Sequence, residues 1–141
     1  MTSFDKIYEA FLSKMLDDEW GNWEQEDVEI DLRQLLESAI PRFKFPRISL
    51  NRTDEGFEED LDSEEIQILA TYMKCEWLNR TILTWEHIKP LYEERDFSQA
   101  NLIDKLNQTL EAERKAAEKL ESLYYRAIKH RPFDYRRLAD N

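Results

Sequence analysis

Apolar residues recur at helical spacing in four stretches of the chain. The first stripe repeats at intervals of three and four residues: Phe4, Ile7, Tyr8, Phe11, Leu12 and Met15. Such a repeat is one face of an α-helix. Thr2 or Ser3 can cap the start of this helix, and Gly21 is suited to end it. Trp20 and Trp23 flank that end, and they are predicted either to pack on the core or, if exposed, to anchor an interface.

A second helix is predicted from about Glu24 to Ile40, because apolar residues again repeat at intervals of three and four and Pro41 prevents continuation. The residues that follow alternate instead, with Phe43 and Phe45 as the first pair. This is the only stretch with strand character. It predicts either a small β-hairpin near residues 43–59 or a long ordered loop.

A third helix is predicted over about Ser63 to Leu83, with Asp62 and Glu65 spaced as a capping box at its start. Its apolar positions cover a wide arc, so we expect it to lie at the centre of the fold with contacts on more than one side. Thr84 can cap a short fourth helix, from Trp85 to Tyr92.

The last helix is predicted to begin at Asp96 or Ser98 and to extend to Pro132, which stops it. Its stripe repeats every three or four residues: Leu102, Leu106, Leu110, Glu113, Ala117, Leu120, Tyr124 and Ile128. A helix of about 30 residues would span roughly 45 Å, which exceeds the width of so small a domain. We therefore expect part of it to protrude or to pack against a neighbouring chain.

Composition supports a helical fold. The 141 residues include only 2 glycines and 4 prolines, which leaves few tight turns, and good helix formers dominate. The predicted fold class is all-α: a small bundle of about four to five helices with one long C-terminal helix. One domain is expected over residues 1–131, followed by a basic and aromatic tail over 132–141.

The net charge of −11 is unevenly distributed. Residues 1–65 carry 19 acids against 7 bases, whereas residues 66–141 carry 12 acids against 13 bases. An acidic half disfavours contact with nucleic acid or an anionic membrane. It either serves solubility or indicates head-to-tail contact between identical copies. The chain has no apolar run long enough for a membrane span, and no secretory signal is recognised at its start.

The tail combines arginines with apolar anchors, as interface hot spots do. The candidate docking residues in and beside it are Arg131, Phe133, Tyr135, Arg136, Arg137 and Leu138. The alternatives are an unstructured tail and, less favoured, an RNA-binding one. Candidate ring contacts between copies are Trp20, Trp23, Trp85 and Tyr124.

Catalytic chemistry is not predicted. His87 and His130 lie on different predicted elements, and Cys75 has no histidine near it in the sequence, so it is expected to be a small core residue. Eight acids between Asp54 and Glu65 invite a calcium interpretation, but their spacing does not match an EF-hand loop, and a solvated loop is favoured. No metal, cofactor or enzymatic activity is expected.

Four segments carry a resemblance to a known group of proteins: FLSKMLDDEW, LLESAIPRFKF, ILATYMKCEWL and DFSQANLIDKL. They resemble small proteins of phages and prophages of low-GC Gram-positive bacteria. The helix EEIQILATYMKCEWLNRTI, with small and apolar residues, a bulky aromatic and an Asn-Arg near its end, is similar to the central helix of tailed-phage head–tail adaptor proteins, also called connectors.

The resemblance implies a structural protein of the virion neck, made in the host cytoplasm. Copies would form a ring, usually of twelve, beneath the portal protein, with the C-terminal segment docked on the portal and a further neck or tail protein bound below. The acidic residues 1–60 depart from a minimal adaptor. Because of this departure, the alternative that the chain is another neck or tail-assembly component stays open. The competing hypothesis is an intracellular regulatory or host-takeover protein whose acidic surface occupies a host protein's DNA-binding site.

Overall fold

The computed structural model describes residues 1–15, 25–88 and 96–130. Within these ranges the chain forms four α-helices and one pair of short antiparallel strands, which confirms the all-α class. In chain order the elements are β1 (Thr2–Ser3), α1 (Phe4–Ser13), α2 (Gln25–Ala39), a 3₁₀ turn (Ile40–Arg42), β2 (Gly56–Phe57), α3 (Ser63–Ile88) and α4 (Asp96–His130).

Helix α3 is the centre of the fold, as its wide apolar arc predicted. Helices α1, α2 and α4 and the 3₁₀ turn all pack against it. Six consecutive positions are buried, so no side of this stretch faces solvent: Ile68, Leu69, Ala70, Thr71, Tyr72 and Met73. A helix that is buried all round must be contacted on every face.

The start of α3 is closed by the capping box that the sequence predicted. The N–H of Asp62 donates to Glu65 Oε1 at 2.9 Å, and the N–H of Glu65 donates to Asp62 Oδ1 at 2.8 Å. Two backbone donors at this helix end are therefore satisfied by side chains.

The prediction of a separate short helix from Trp85 was wrong, because α3 continues without a break to Ile88. The hydroxyl of Thr84 donates to the carbonyl of Arg80 at 2.9 Å, and that of Thr81 donates to Trp77 at 2.9 Å. A threonine bonded to the preceding turn of its own helix does not act as an N-cap. The stretch from Trp85 onward therefore extends α3.

Helix α1 is capped by Ser3, whose hydroxyl accepts the N–H of Asp5. Its predicted face holds for Phe4, Ile7, Tyr8 and Phe11, which are buried. The helix ends at Ser13, earlier than the predicted end near Gly21, which lies outside the described residues. The predicted α2 is also close to the observed one, with its last turn tightened into the 3₁₀ turn before Phe43.

Short β structure is present, but only one strand lies in the predicted hairpin segment. Gly56 and Phe57 pair with Ser3 and Thr2 at the N-terminus, and Phe57 also forms a single bridge to Arg52 across a tight turn. Thr2 holds this pairing in place, because its hydroxyl donates to the carbonyl of Glu59 at 3.0 Å. The alternating residues 43–50 form no strand.

Helix α4 lies antiparallel along α3. Residues at intervals of seven face α3 and are buried: Ile103, Leu110, Ala117 and Tyr124. At 35 residues the helix spans about 52 Å. Whether part of it packs against a neighbouring chain stays a prediction. Among the helices of the described ranges, none combines the length and apolar content that a membrane span needs.

The strand pair yields a stability prediction at Gly56. A Cβ added there would lie 2.2 Å from the backbone oxygen of Thr2, too close for either strand to accommodate without moving. We expect Gly56→Ala to lower the free energy of unfolding by roughly 1–3 kcal/mol in urea titrations. The exposed neighbour Glu58→Ala is the control, expected within about 0.5 kcal/mol of the unaltered protein. Equal effects of the two changes would contradict this account.

Candidate protein-binding site

Tyr124 joins the end of α4 to the start of α3. Its side chain has no exposed surface, and its hydroxyl donates to Glu65 Oε2 at 2.7 Å. The same hydroxyl accepts the N–H of Arg47 at 2.7 Å. Burial, followed by the hydrogen bond to Glu65, raises the pKa of Tyr124 to about 12. The phenol is therefore neutral at physiological pH and serves as a fixed structural link.

Arg47 lies in the segment between the 3₁₀ turn and β2, and it contacts Tyr124 through its guanidinium and its backbone N–H. Its guanidinium lies 3.8 Å from the centre of the tyrosine ring, and Nη2 donates to the Tyr124 carbonyl at 3.3 Å. Nη2 also lies 3.6 Å from a carboxylate oxygen of Glu64. A cation over an aromatic face is attracted by the ring's electrons. This attraction holds the irregular segment 43–50 against α4.

A second cluster lies about one helical turn away, around the buried carboxylate of Glu121. Tyr72 of α3 donates its hydroxyl to Glu121, and Tyr125 does the same at 2.9 Å. Burial raises the pKa of both phenols, and the bonds to Glu121 add to the shift. Tyr125 in turn accepts the N–H of Phe45 at 3.2 Å. The backbone of Phe45 is thus fixed by a chain of bonds that begins inside the α3–α4 contact.

The side chain of Phe45 is the most exposed large apolar group in the described part of the chain, at 72%. Its ring makes an edge contact with Tyr125, with centroids 6.3 Å apart. An open groove of about 850 Å³ lies between the 3₁₀ turn, α3 and α4, with Tyr72 and Tyr125 among its walls. An exposed aromatic on a rigid backbone, beside arginines and tyrosines, has the composition of an interface hot spot.

The groove has charges of both signs. Arg42, Lys44 and Arg114 lie among its walls together with Glu76, Glu118 and Glu121. Arg42 is paired with Glu76 through its Nε. We call Phe45 and this groove the Phe45 surface. Its chemistry suits a partner surface with an apolar pocket and mixed polar groups around it.

Cys75 is buried, and burial raises the pKa of its thiol to about 11, which keeps the thiol protonated and unreactive. Within residues 1–15, 25–88 and 96–130, no group of three or more His, Cys, Asp and Glu side chains could hold a metal ion.

Two of the predicted interface residues, Trp85 and Tyr124, lie in the described ranges. Trp85 is half-buried on the last turns of α3. Tyr124 was predicted to contact a neighbouring copy, but its side chain lies inside the fold of its own chain, where Glu65 and Arg47 occupy its hydroxyl. The remaining predicted residues lie outside the described ranges: Trp20, Trp23, Arg131, Phe133, Tyr135, Arg136, Arg137 and Leu138.

The Phe45 surface was not identified from the sequence. Phe45 was recognised there only as part of an alternating pattern, which also fits a strand with one buried face. The signal that separates it from Phe43 is tertiary: Phe43 is buried against Tyr124, with ring centroids 5.4 Å apart, whereas Phe45 points outward.

No family model, curated protein or solved structure matches this chain.

Four tyrosines with a raised pKa generate a prediction for alkaline pH. The folded-state pKa is raised from 10.0 to about 12 for Tyr8 and Tyr124, and it is also raised for Tyr72 and Tyr125. A raised phenol pKa contributes stability that is complete below pH 10 and is lost as the pH rises through 12. We therefore expect urea-unfolding free energies to fall steeply above pH 10.

Tyrosinate absorbance checks the same prediction. The buried phenols should ionise together with the loss of helical circular dichroism. Tyr124→Phe should reduce the pH dependence and, at neutral pH, lower stability by about 1–3 kcal/mol, because Glu65 and the Arg47 N–H lose a buried partner. Ionisation of all the tyrosines near pH 10 with the helices intact would contradict it.

Proposed function

We propose that this protein is a structural, non-enzymatic component of a phage neck: a head–tail adaptor that assembles as a homo-oligomeric ring and binds other virion proteins. The phage assignment rests on the sequence resemblance described above. The binding role is supported by the Phe45 surface, where a large aromatic side chain is presented to solvent on a backbone fixed from within.

The rigidity of this surface matters for an assembly protein. Binding costs less free energy when the contact residues are ordered beforehand. Phe45 and Arg47 are each tied by a backbone N–H to a tyrosine of α4, and those tyrosines are bonded to buried carboxylates. The segment that carries Phe45 is thus ordered in the single chain.

In this proposal the portal protein is the upper partner and a further neck or tail protein is the lower one. The arginine-rich C-terminal segment docks on the portal, and the Phe45 surface binds a neighbouring component. Cryo-electron microscopy of purified virions should reveal a ring of this protein directly beneath the portal. Its absence from purified virions, with capture of a single host protein instead, would replace the proposal with the host-takeover hypothesis.

Phe45→Ala tests the contribution of the exposed ring. We expect the stability to change by less than about 1 kcal/mol, since most of the ring already faces water. Loss of a hot-spot aromatic should nevertheless weaken binding of the neck partner by about 2 kcal/mol or more, measured by calorimetry or by recovery of tailed particles in complementation.

Leu83→Ala is the matched control for Phe45→Ala. Leu83 is an exposed apolar residue on the last turns of α3, away from the Phe45 surface. It should leave particle assembly unchanged. If Phe45→Ala and Leu83→Ala behave alike, the Phe45 surface does not bind the partner.

The tail is tested separately by charge reversal. Arg136→Glu combined with Arg137→Glu should weaken attachment to the portal protein, because like charges would then meet across an acidic docking surface. Co-sedimentation of the variant with purified portal protein measures this. Undiminished attachment would remove the tail from the proposal while leaving the Phe45 surface in place.

A further inference from the structure

The exposed surface of α4 is divided by charge along its length. On one flank, acids recur at intervals of seven at Asp104, Glu111 and Glu118. The other flank is basic and apolar, and we call it the basic face of α4; its members are Leu102, Lys105, Lys115, Lys119, Leu123 and Arg126. Between residues 102 and 126, all of which the structure describes, no acidic side chain lies on this second flank.

The basic face is uncovered in the single chain. The buried side of α4 faces α3 and consists of Ile103, Leu110, Ala117 and Tyr124. The basic face therefore points away from the centre of the fold. Leu123 on this face is 51% exposed. The cations of this face form no ion pair with any described residue, so the face presents both positive charge and an apolar side chain to solvent.

A second surface carries acidic and apolar side chains and is therefore opposite in charge to the basic face. An open groove of about 730 Å³ lies between α1, α2 and the turn before β2. We call it the acidic groove; it is lined by the carboxylates of Asp5, Glu29, Asp54 and Glu55, with Tyr8 and Ile30 as apolar walls.

The charge of the acidic groove is not neutralised from within. Arg33 is the one basic side chain among the described residues that line it, and its guanidinium lies 4.3 Å from the centre of the Phe4 ring while Nε donates to Glu37 at 2.8 Å. Ile30, which is 53% exposed, supplies an apolar group at the groove comparable to Leu123 on the basic face.

We propose that the basic face of α4 on one copy packs on the acidic groove of a second copy. The two surfaces are opposite in charge, and each carries an exposed apolar side chain. From residue 102 to residue 126 the basic face extends about 36 Å along α4.

The contact is directional. Two basic faces repel each other, as do two acidic grooves, so a symmetric pairing through either surface is disfavoured. The two surfaces belong to elements that pack separately on α3, and each copy therefore uses one to hold the next copy and the other to be held. Such a head-to-tail contact generates a closed ring or an open chain. This inference rests on the proposed function for the closure of the ring.

Paired charge reversals test the contact in the full-length protein. Sedimentation velocity should detect self-association of the unaltered chain that weakens as salt is raised from about 50 to 500 mM, because the attraction is between exposed charges. Lys115→Glu with Lys119→Glu reverses the basic face, and Glu29→Lys with Glu55→Lys reverses the acidic groove. Each double variant alone should associate at least about tenfold more weakly, because like charges then meet.

Mixing the two variants is the decisive measurement. The reversed face of the first variant matches the reversed groove of the second, and the unaltered face of the second matches the unaltered groove of the first. An equimolar mixture should therefore recover the association that each variant lost. Lys6→Glu, an exposed reversal that lies on none of the three surfaces, should leave self-association unchanged, and circular dichroism confirms that every variant is folded.

Three results would overturn the contact: an unaltered chain that stays monomeric at low salt, double variants that associate normally, or a mixture that recovers nothing. The proposed function fails by a different observation. A ring in virions built from variants with reversed charges would refute this contact and keep the neck function. Charge-dependent self-association of a protein that is absent from virions would do the opposite.

Discussion

The rest of the structure depends on two hydrogen bonds that the carboxylate of Glu65 accepts. One of its oxygens caps the first turn of α3, and the other accepts the hydroxyl of Tyr124 from α4. A buried carboxylate is stable only when its oxygens have partners, and here both do. The start of the central helix and the last turns of the longest helix are thereby held in one register. The seven-residue repeat that buries Leu110 and Ala117 follows from that register.

The surface is organised from this interior bond outward. Tyr124 accepts the N–H of Arg47, and Tyr125, bonded to Glu121, accepts the N–H of Phe45. The irregular segment therefore satisfies its backbone donors with tyrosine hydroxyls instead of with a second strand. Phe45 is displayed because its backbone is occupied inward while its ring is directed outward. This network of hydrogen bonds thus holds an exposed apolar ring on an ordered backbone, which lowers the entropy cost of a contact made there.

Charge is separated on the same scaffold. Carboxylates surround the groove beside α1 and α2, while one flank of α4 carries lysines and an arginine without acids. Because α3 lies between these elements, the opposite charges do not neutralise each other within one chain. A protein with net charge −11 therefore retains a distinct basic surface. The Phe45 surface and the two charged surfaces have no residue in common.

The sequence by itself determined the helical class, the central place of α3 and the box of Asp62 and Glu65, because these depend on local spacing and on contacts within one turn. It also located the long last helix. Tertiary structure alone decided that Thr84 continues α3, that Gly56 and Phe57 pair with the N-terminus, that Tyr124 is internal and that Phe45 is exposed. Each of these depends on a partner tens of residues away or on a choice between two allowed hydrogen bonds. Periodicity identifies an apolar side of an element, but it does not state which neighbour covers that side or which side chain stays uncovered.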